Sequence, residues 1–342
     1  MTKFPKEVDV EASTPFVEKS SSTEEAQSSG NKGGDYNQGV LSICMYVICS
    51  VGMVLANKAI SGYMDPDVKM RIPQISIINF QCFVAVMLVE FAKWRKWVEY
   101  DDFDAKTAKA WLPLNILFIG MLLTGFLSLV HNNVPMVTVF KNLTNVLTVG
   151  GDALFYGENV TKVTALSLFV MVMGAVLSST ADLEFSFLGY MWMSLNCLFT
   201  SGYVLYMRYV STSMNLSRFG MVYYNNVISM ALLTPLAIMM NEIPALMDPE
   251  IMTPNFMISN VLAGFLGFYL NFASLWCVGA TSATTYAIVG SVSKVPTTIL
   301  GAIIFETVMT NEGVMYVTMA TIGGGLYAMG KILEKKNKSR EK

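Results

Sequence analysis

Residues 135–156 read PMVTVFKNLTNVLTVGGDALFY, and residues 282–305 read SATTYAIVGSVSKVPTTILGAIIF. Each stretch is long and apolar enough to cross a bilayer, which takes about 20 residues. Each also holds a lysine, Lys141 in the first and Lys294 in the second. A cation at the centre of a membrane helix costs roughly 2.5–3.5 kcal/mol even on the lenient insertion scale. The usual reason to carry that cost is an anion in the pathway. The two segments therefore predict a multi-span carrier, with both lysines facing a site for an anionic substrate.

Composition agrees. Of 342 residues, 53% are hydrophobic and only 14% charged, against about 25% charged in soluble domains. No basic, aromatic-laced patch points to nucleic acid. The five cysteines, Cys44, Cys49, Cys82, Cys197 and Cys277, fall in apolar segments without metal spacing, so packed, reduced thiols are expected. No nucleophile–base pair, soluble-type phosphate loop or metal cluster is visible. The chain predicts no cofactor, no metal and no catalysis.

Outward from the lysines, ten apolar segments follow Val40: 40–60, 73–92, 112–131, 135–156, 161–181, 187–207, 220–240, 256–277, 282–305 and 312–333. Ten is even, so both termini share a side. With the termini cytosolic, 18 of the 23 Lys and Arg face the cytosol and two, Lys69 and Arg71, face the other side; Lys58, Lys141 and Lys294 lie within spans. That asymmetry fits the positive-inside rule. It also leaves the sequons at Asn142, Asn159 and Asn215 unglycosylated.

The expected organisation is a disordered cytosolic tail over 1–38, five-helix halves over 39–181 and 182–333, and a basic cytosolic tail over 334–342. The first tail is rich in Ser, Glu and Gly, with four Lys, seven acids and no Arg. Such a segment buries little and does not match a transit peptide. It lacks a signal-peptide pattern as well, so the first span is expected to insert the chain. Five spans followed by five predict an inverted repeat, which places binding at mid-membrane between the halves. The fourth and ninth spans then correspond, and these carry the two lysines. Aligned on them, Val139–Gly151 and Val292–Ile303 each have Val two residues before the Lys and a Thr further on.

Around Lys294, Tyr286, Gly290 and Lys294 are spaced by four and share one helix face, flanked by Ser291 and Ser293. Gly290 permits close approach to the backbone, and Pro296 can break the helix. A cation, small hydroxyls and exposed backbone suit a phosphate. Lys141 and Asn142, with Thr144 and Asn145, form a second polar cluster. It serves either as a further contact for a polyanion or as a structural lysine bonded to neighbouring carbonyls. Tyr223, Tyr224, Asn225 and Asn226 open the seventh span. An amide carries donor and acceptor and so can read a nucleobase edge, and a tyrosine can stack on its face. Polar amides also join membrane helices. Lys58 is expected to snorkel to the interface.

Together VFKNLTNV, YYNN and TSATTYAIVGSVSK resemble the Golgi GDP-mannose transporters of fungi and their plant GDP-sugar relatives. These are nucleotide-sugar transporters of the drug/metabolite transporter superfamily. The likeness runs from about Tyr46 to Tyr327. It implies an all-α polytopic fold of ten transmembrane helices in two inverted five-helix repeats, exchanging a cytosolic GDP-sugar for lumenal GMP. It implies that Asn225 and Asn226 read guanine with Ser274 as a further base contact. Lys294 would hold phosphate, Tyr286 and the Gly290–Ser291 backbone would line the sugar end, and Tyr46 would bind from the first span. The family's GALNK is GSVSK here, so Ser293 replaces an Asn close to the expected sugar. GDP-mannose is the first expectation and GDP-fucose or a broader GDP-sugar range the second. The location implied is the Golgi, and membrane lipids are the surroundings.

Other classes fit less well. A phosphate-ester translocator of the same superfamily has no use for the YYNN pair. A membrane glycosyltransferase would need acidic loop residues, and Asp182, Glu184 and Asp248 form no evident site. A scaffold has no need of two buried lysines. Small residues such as Gly323–Gly325 permit a homodimer without requiring one.

Overall fold

The computed structural model describes residues 32–62, 73–157, 160–213, 216–249, 251–280, 289–290 and 292–338. Among these the regular structure is entirely helical. The helices are α1 (Lys32–Gly62), α2 (Gln74–Trp94), α3 (Ala105–His131), α4 (Val134–Phe155), α5 (Lys162–Thr180), α6 (Phe187–Ser213), α7 (Arg218–Met239), α8 (Pro254–Ala280), α9 (Lys294–Ile304) and α10 (Asn311–Lys338). A short 3-10 turn, Pro244–Met247, lies between α7 and α8.

Local chemistry sets the helix ends. Asp104, Asn133, Thr161 and Ser217 each accept a bond from a backbone N–H three residues on, at 2.9, 2.9, 3.3 and 3.1 Å. Each thereby satisfies one of the donors that every helix start leaves open. At the other ends Lys96, Asn241 and Glu306 adopt positive φ (57°, 55° and 47°). Backbone bonds from Trp97 to Ala92, Glu242 to Ala237 and Thr307 to Ala302 close these turns, the pattern of a Schellman stop.

Six described segments are long and apolar enough to cross a membrane, in α1, α2, α3, α5, α7 and α8. This is a multi-pass membrane protein. Helices α4, α6 and α10 break their apolar runs with polar residues, such as Lys141, Asn142 and Asn145 in α4. The apolar α9 has only 11 residues. In the expected ninth span, 282–305, Ser293 keeps helical dihedrals (φ −61°, ψ −20°), and 281–288 and 291 lie outside the described residues. Pro296 has no N–H to offer Val292 O, the bond an unbroken helix would place there. The first helix begins at Lys32 and the last runs to Lys338, so both extend into stretches expected to be tails.

The helices pack in pairs. The main pairs are α5 on α10, α1 on α8, α3 on α6, and α2 on α7 and α8; α4 lies against α6, α5 and α9. At the α5–α10 seam the two backbones come close together. A Cβ on Gly174 would come within 2.7 Å of Ala320 N, and one on Gly323 within 2.9 Å of Met171 N. Two further ties join distant segments. Lys58 Nζ donates to Leu129 O and Asn132 O, both at 2.7 Å. It binds the open carbonyls ending α3 and does not snorkel outward. Glu242, only 6% exposed, accepts from Ile75 N, Ser76 N and Ser76 Oγ at 3.1, 2.8 and 2.8 Å. The α7–α8 connection thus caps α2, where a carboxylate is favoured by the helix dipole.

Candidate functional site

Lys294 is the first residue of α9, just after Ser293. Its Nζ donates to Asn142 Oδ1 of α4 at 2.6 Å. Asn142 is fully buried, and its Nδ2 donates to Ala320 O of α10 at 3.3 Å. Gly324 faces the same amide, and a Cβ there would lie 3.0 Å from Asn142 Oδ1. Three helices therefore meet at one amide.

Lys141 stands beside it. Its side chain is exposed. It lies within electrostatic reach of Lys294 and of the Cys197 thiol on α6. Two like charges this near repel each other, and an anion between them would relieve the repulsion.

A second group brings α1 to the segment before α9. Tyr46, 8% exposed, packs with Ala273, Cys277 and Val289. A Cβ on Gly290 would lie 3.3 Å from the Tyr46 hydroxyl, so the missing side chain keeps the approach open. Ser293 is turned inward, 3% exposed, with its hydroxyl on Gly290 O at 3.0 Å. Tyr286 and Ser291 lie outside the described residues.

The YYNN stretch divides by role. Tyr224 is 1% exposed; its ring stacks on Phe103 with centroids 5.6 Å apart, and its hydroxyl accepts from Asp104 N at 2.8 Å. It anchors the α2–α3 connection. Asn225 accepts from Trp111 Nε1 and donates to Tyr203 Oη, both at 2.8 Å. Its carbonyl accepts from Asn115 Nδ2 at 2.7 Å. Asn226 donates to Val222 O at 2.7 Å. Ser274 Oγ donates to Leu270 O at 2.6 Å, within α8. Trp111, Asn115 and Tyr203 escaped the sequence reading, because each lies on a helix far in sequence from the residue it holds. The five cysteines are free, and all but Cys44 are buried. Among the described residues no group of His, Cys, Asp and Glu could hold a metal ion.

The sequence profile of the Triose-phosphate Transporter family matches residues 37–328. The chain belongs to this family. The GDP-mannose transporter GONST1 of Arabidopsis thaliana is 32% identical over 308 residues, which cover 88% of this chain and 91% of that protein. A GDP-mannose transporter of Aspergillus clavatus is 31% identical over 318 residues, 86% of this chain and 81% of its own length. A solved crystal structure shares the fold at TM-score 0.55 and 13% identity, covering 89% of this chain and all of its own. The match places the chain among transporters and supports the nucleotide-sugar transporter resemblance drawn from VFKNLTNV, YYNN and GSVSK.

Proposed function

We propose that this protein moves a GDP-sugar, GDP-mannose first, across the Golgi membrane in exchange for GMP. The observation that carries the reading is the nearness of Lys141 to Lys294, with Asn142 bonded to Lys294 at 2.6 Å. Phosphates are the substrate part that two cations would hold. The sugar end would lie toward Tyr46 and Gly290, with Tyr286 and Ser291 the further contacts that the resemblance implies, and the base toward Asn225, Asn226 and Ser274. The names of the curated relatives, GDP-mannose transporters at 31–32% identity, support the choice of substrate.

Ten crossings in two inverted five-helix halves suit this role. Exchanging each helix for the one five places away turns the α1–α8 pair into α6–α3, α2–α8 into α7–α3 and α4–α6 into α9–α1. The α2–α7, α4–α9 and α5–α10 pairs map onto themselves. All of these pairs occur. The halves would rock about the lysine site, with both termini in the cytosol as the basic loops favour. A homodimer would use a surface other than Gly323 and Gly324, whose faces are occupied within the chain.

The test is exchange in sealed proteoliposomes preloaded with GMP and supplied with labelled GDP-mannose. UDP-galactose, CMP-sialic acid and GDP-fucose serve as competitors. Uptake that needs internal GMP and yields only to guanine nucleotides supports the reading. Equal competition by UDP- and CMP-sugars would overturn it. Inhibition by small phosphate esters but not GMP would favour a phosphate-ester translocator, the reading that the family's own name brings forward.

A further inference from the structure

The Asn225 amide is held at both ends. Trp111 Nε1 reaches its oxygen at 2.8 Å, and its nitrogen reaches Tyr203 Oη at 2.8 Å. An indole N–H donates only, so the amide oxygen must face Trp111. The frame around it is also fixed. Asn115, fully buried, holds the Asn225 carbonyl at 2.7 Å and Ser229 Oγ at 3.3 Å. Trp111 is fully buried in a cluster with Leu114, Val210 and Met221. Tyr203 packs on Phe118, ring centroids 5.5 Å apart. Helices α3, α6 and α7 thus set one orientation of one amide.

That orientation has a chemical consequence. Guanine offers an acceptor, O6, next to a donor, N1–H. Adenine offers a donor, its amino group, next to an acceptor, N1. An amide has one acceptor oxygen with two lone pairs and one nitrogen with two hydrogens. Trp111 and Tyr203 use one of each and leave one of each. An amide free to rotate by 180° exchanges donor for acceptor at no change in size, and so serves either purine. A locked amide serves one order only.

We propose that Trp111 and Tyr203 are positioning residues whose hydrogen bonds lock the Asn225 amide, and that this lock makes the carrier prefer guanine to adenine. The inference rests on the reading of Asn225 as a base contact. The amide supplies affinity for a purine edge, and the lock supplies the choice between purines. The wrong purine leaves a buried donor facing a donor, which sites built on hydrogen bonds reject strongly.

The test compares inhibition of labelled GDP-mannose exchange by GMP and by AMP, in reconstituted wild type, Trp111→Phe and Tyr203→Phe. Wild type should be inhibited by GMP far more than by AMP. In Trp111→Phe the AMP-to-GMP ratio of inhibition constants should fall by about three- to ten-fold, the effect of one hydrogen bond; in Tyr203→Phe, where the indole still fixes the amide oxygen, it should fall by less. A purely structural role would weaken both nucleotides together, or lower the yield of folded protein, and leave the ratio unchanged. Tyr203→Phe removes a single hydroxyl and keeps the test open if Trp111→Phe fails to fold. An AMP-to-GMP ratio unchanged from wild type in Trp111→Phe, or in Tyr203→Phe where Trp111→Phe does not fold, would overturn the lock alone. A wild type indifferent to GMP would overturn the guanine reading itself, and the lock with it.

Discussion

Lys294 Nζ lies 2.6 Å from Asn142 Oδ1, a charge-assisted bond between residues 152 positions apart. It joins the start of α9 to the middle of α4. Removing the charge should weaken substrate recognition while sparing the fold, since Gln keeps a donor for Asn142. We expect Lys294→Gln to lower GDP-sugar exchange by about ten- to a hundred-fold, the loss of one or two bonds to a charged group. Lys141→Gln should act in the same direction. Monodisperse, thermally unchanged protein that exchanges at the wild-type rate would place the site elsewhere.

Glu242 holds the N-terminus of α2 through three bonds. Glu242→Ala leaves two buried backbone donors open, at about 1–3 kcal/mol each, so destabilisation of about 2–6 kcal/mol is expected. Glu242→Gln keeps an acceptor oxygen and should lose less. Thermal unfolding in detergent measures both, and equal melting temperatures for wild type and Glu242→Ala would refute the clasp.

The three glycines at 323–325 are not equivalent. Gly323 touches Met171, Gly324 touches Asn142, and a Cβ on Gly325 would meet nothing within 4 Å. Gly323→Ala must push against backbone and should cost about 1–3 kcal/mol, as overpacking does. Gly325→Ala should be neutral or gain up to about 1 kcal/mol of helix propensity. Gly174→Ala should behave like Gly323→Ala. Melting temperatures of the three variants decide the matter, and a Gly325→Ala loss equal to that of Gly323→Ala would contradict the seam.

Asp104 caps α3 in the connection outside the spans. Bonds from the Thr107 backbone and hydroxyl hold its carboxyl below the usual carboxylate range. A depressed folded value stabilises at pH above the unfolded value, about 3.9, and the gain disappears as pH falls through the folded one. The melting difference between wild type and Asp104→Ala should therefore stay constant from pH 8 to 5 and shrink below about pH 4. A difference that persists unchanged at pH 3 would be evidence against the cap.

How much of this was legible in the sequence follows from the range of each interaction. Apolar periodicity and capping residues act within one segment, so the spans and the starts at Asp104, Asn133, Thr161 and Ser217 could all be read or rationalised locally. The two lysines stood out because a cation in an apolar run is costly wherever the chain folds. YYNN was visible as a motif, yet its members' roles were not: whether Tyr224 stacks on a ligand or on Phe103 depends on where the α2–α3 connection lands. Lys58 shows the same limit. Its carbonyl partners on α3 lie 71 and 74 residues away, and nothing near Lys58 announces them.

The sequence by itself determined that this is a helical membrane chain with two lysines in apolar runs, because solvation energy is a property of each segment and needs no partner. Tertiary structure alone decided that Lys294 meets Asn142, that Glu242 closes α2, and that Trp111 and Tyr203 orient Asn225. Hydrogen bonds are short and directional, so which residues make them is settled only when the helices have packed.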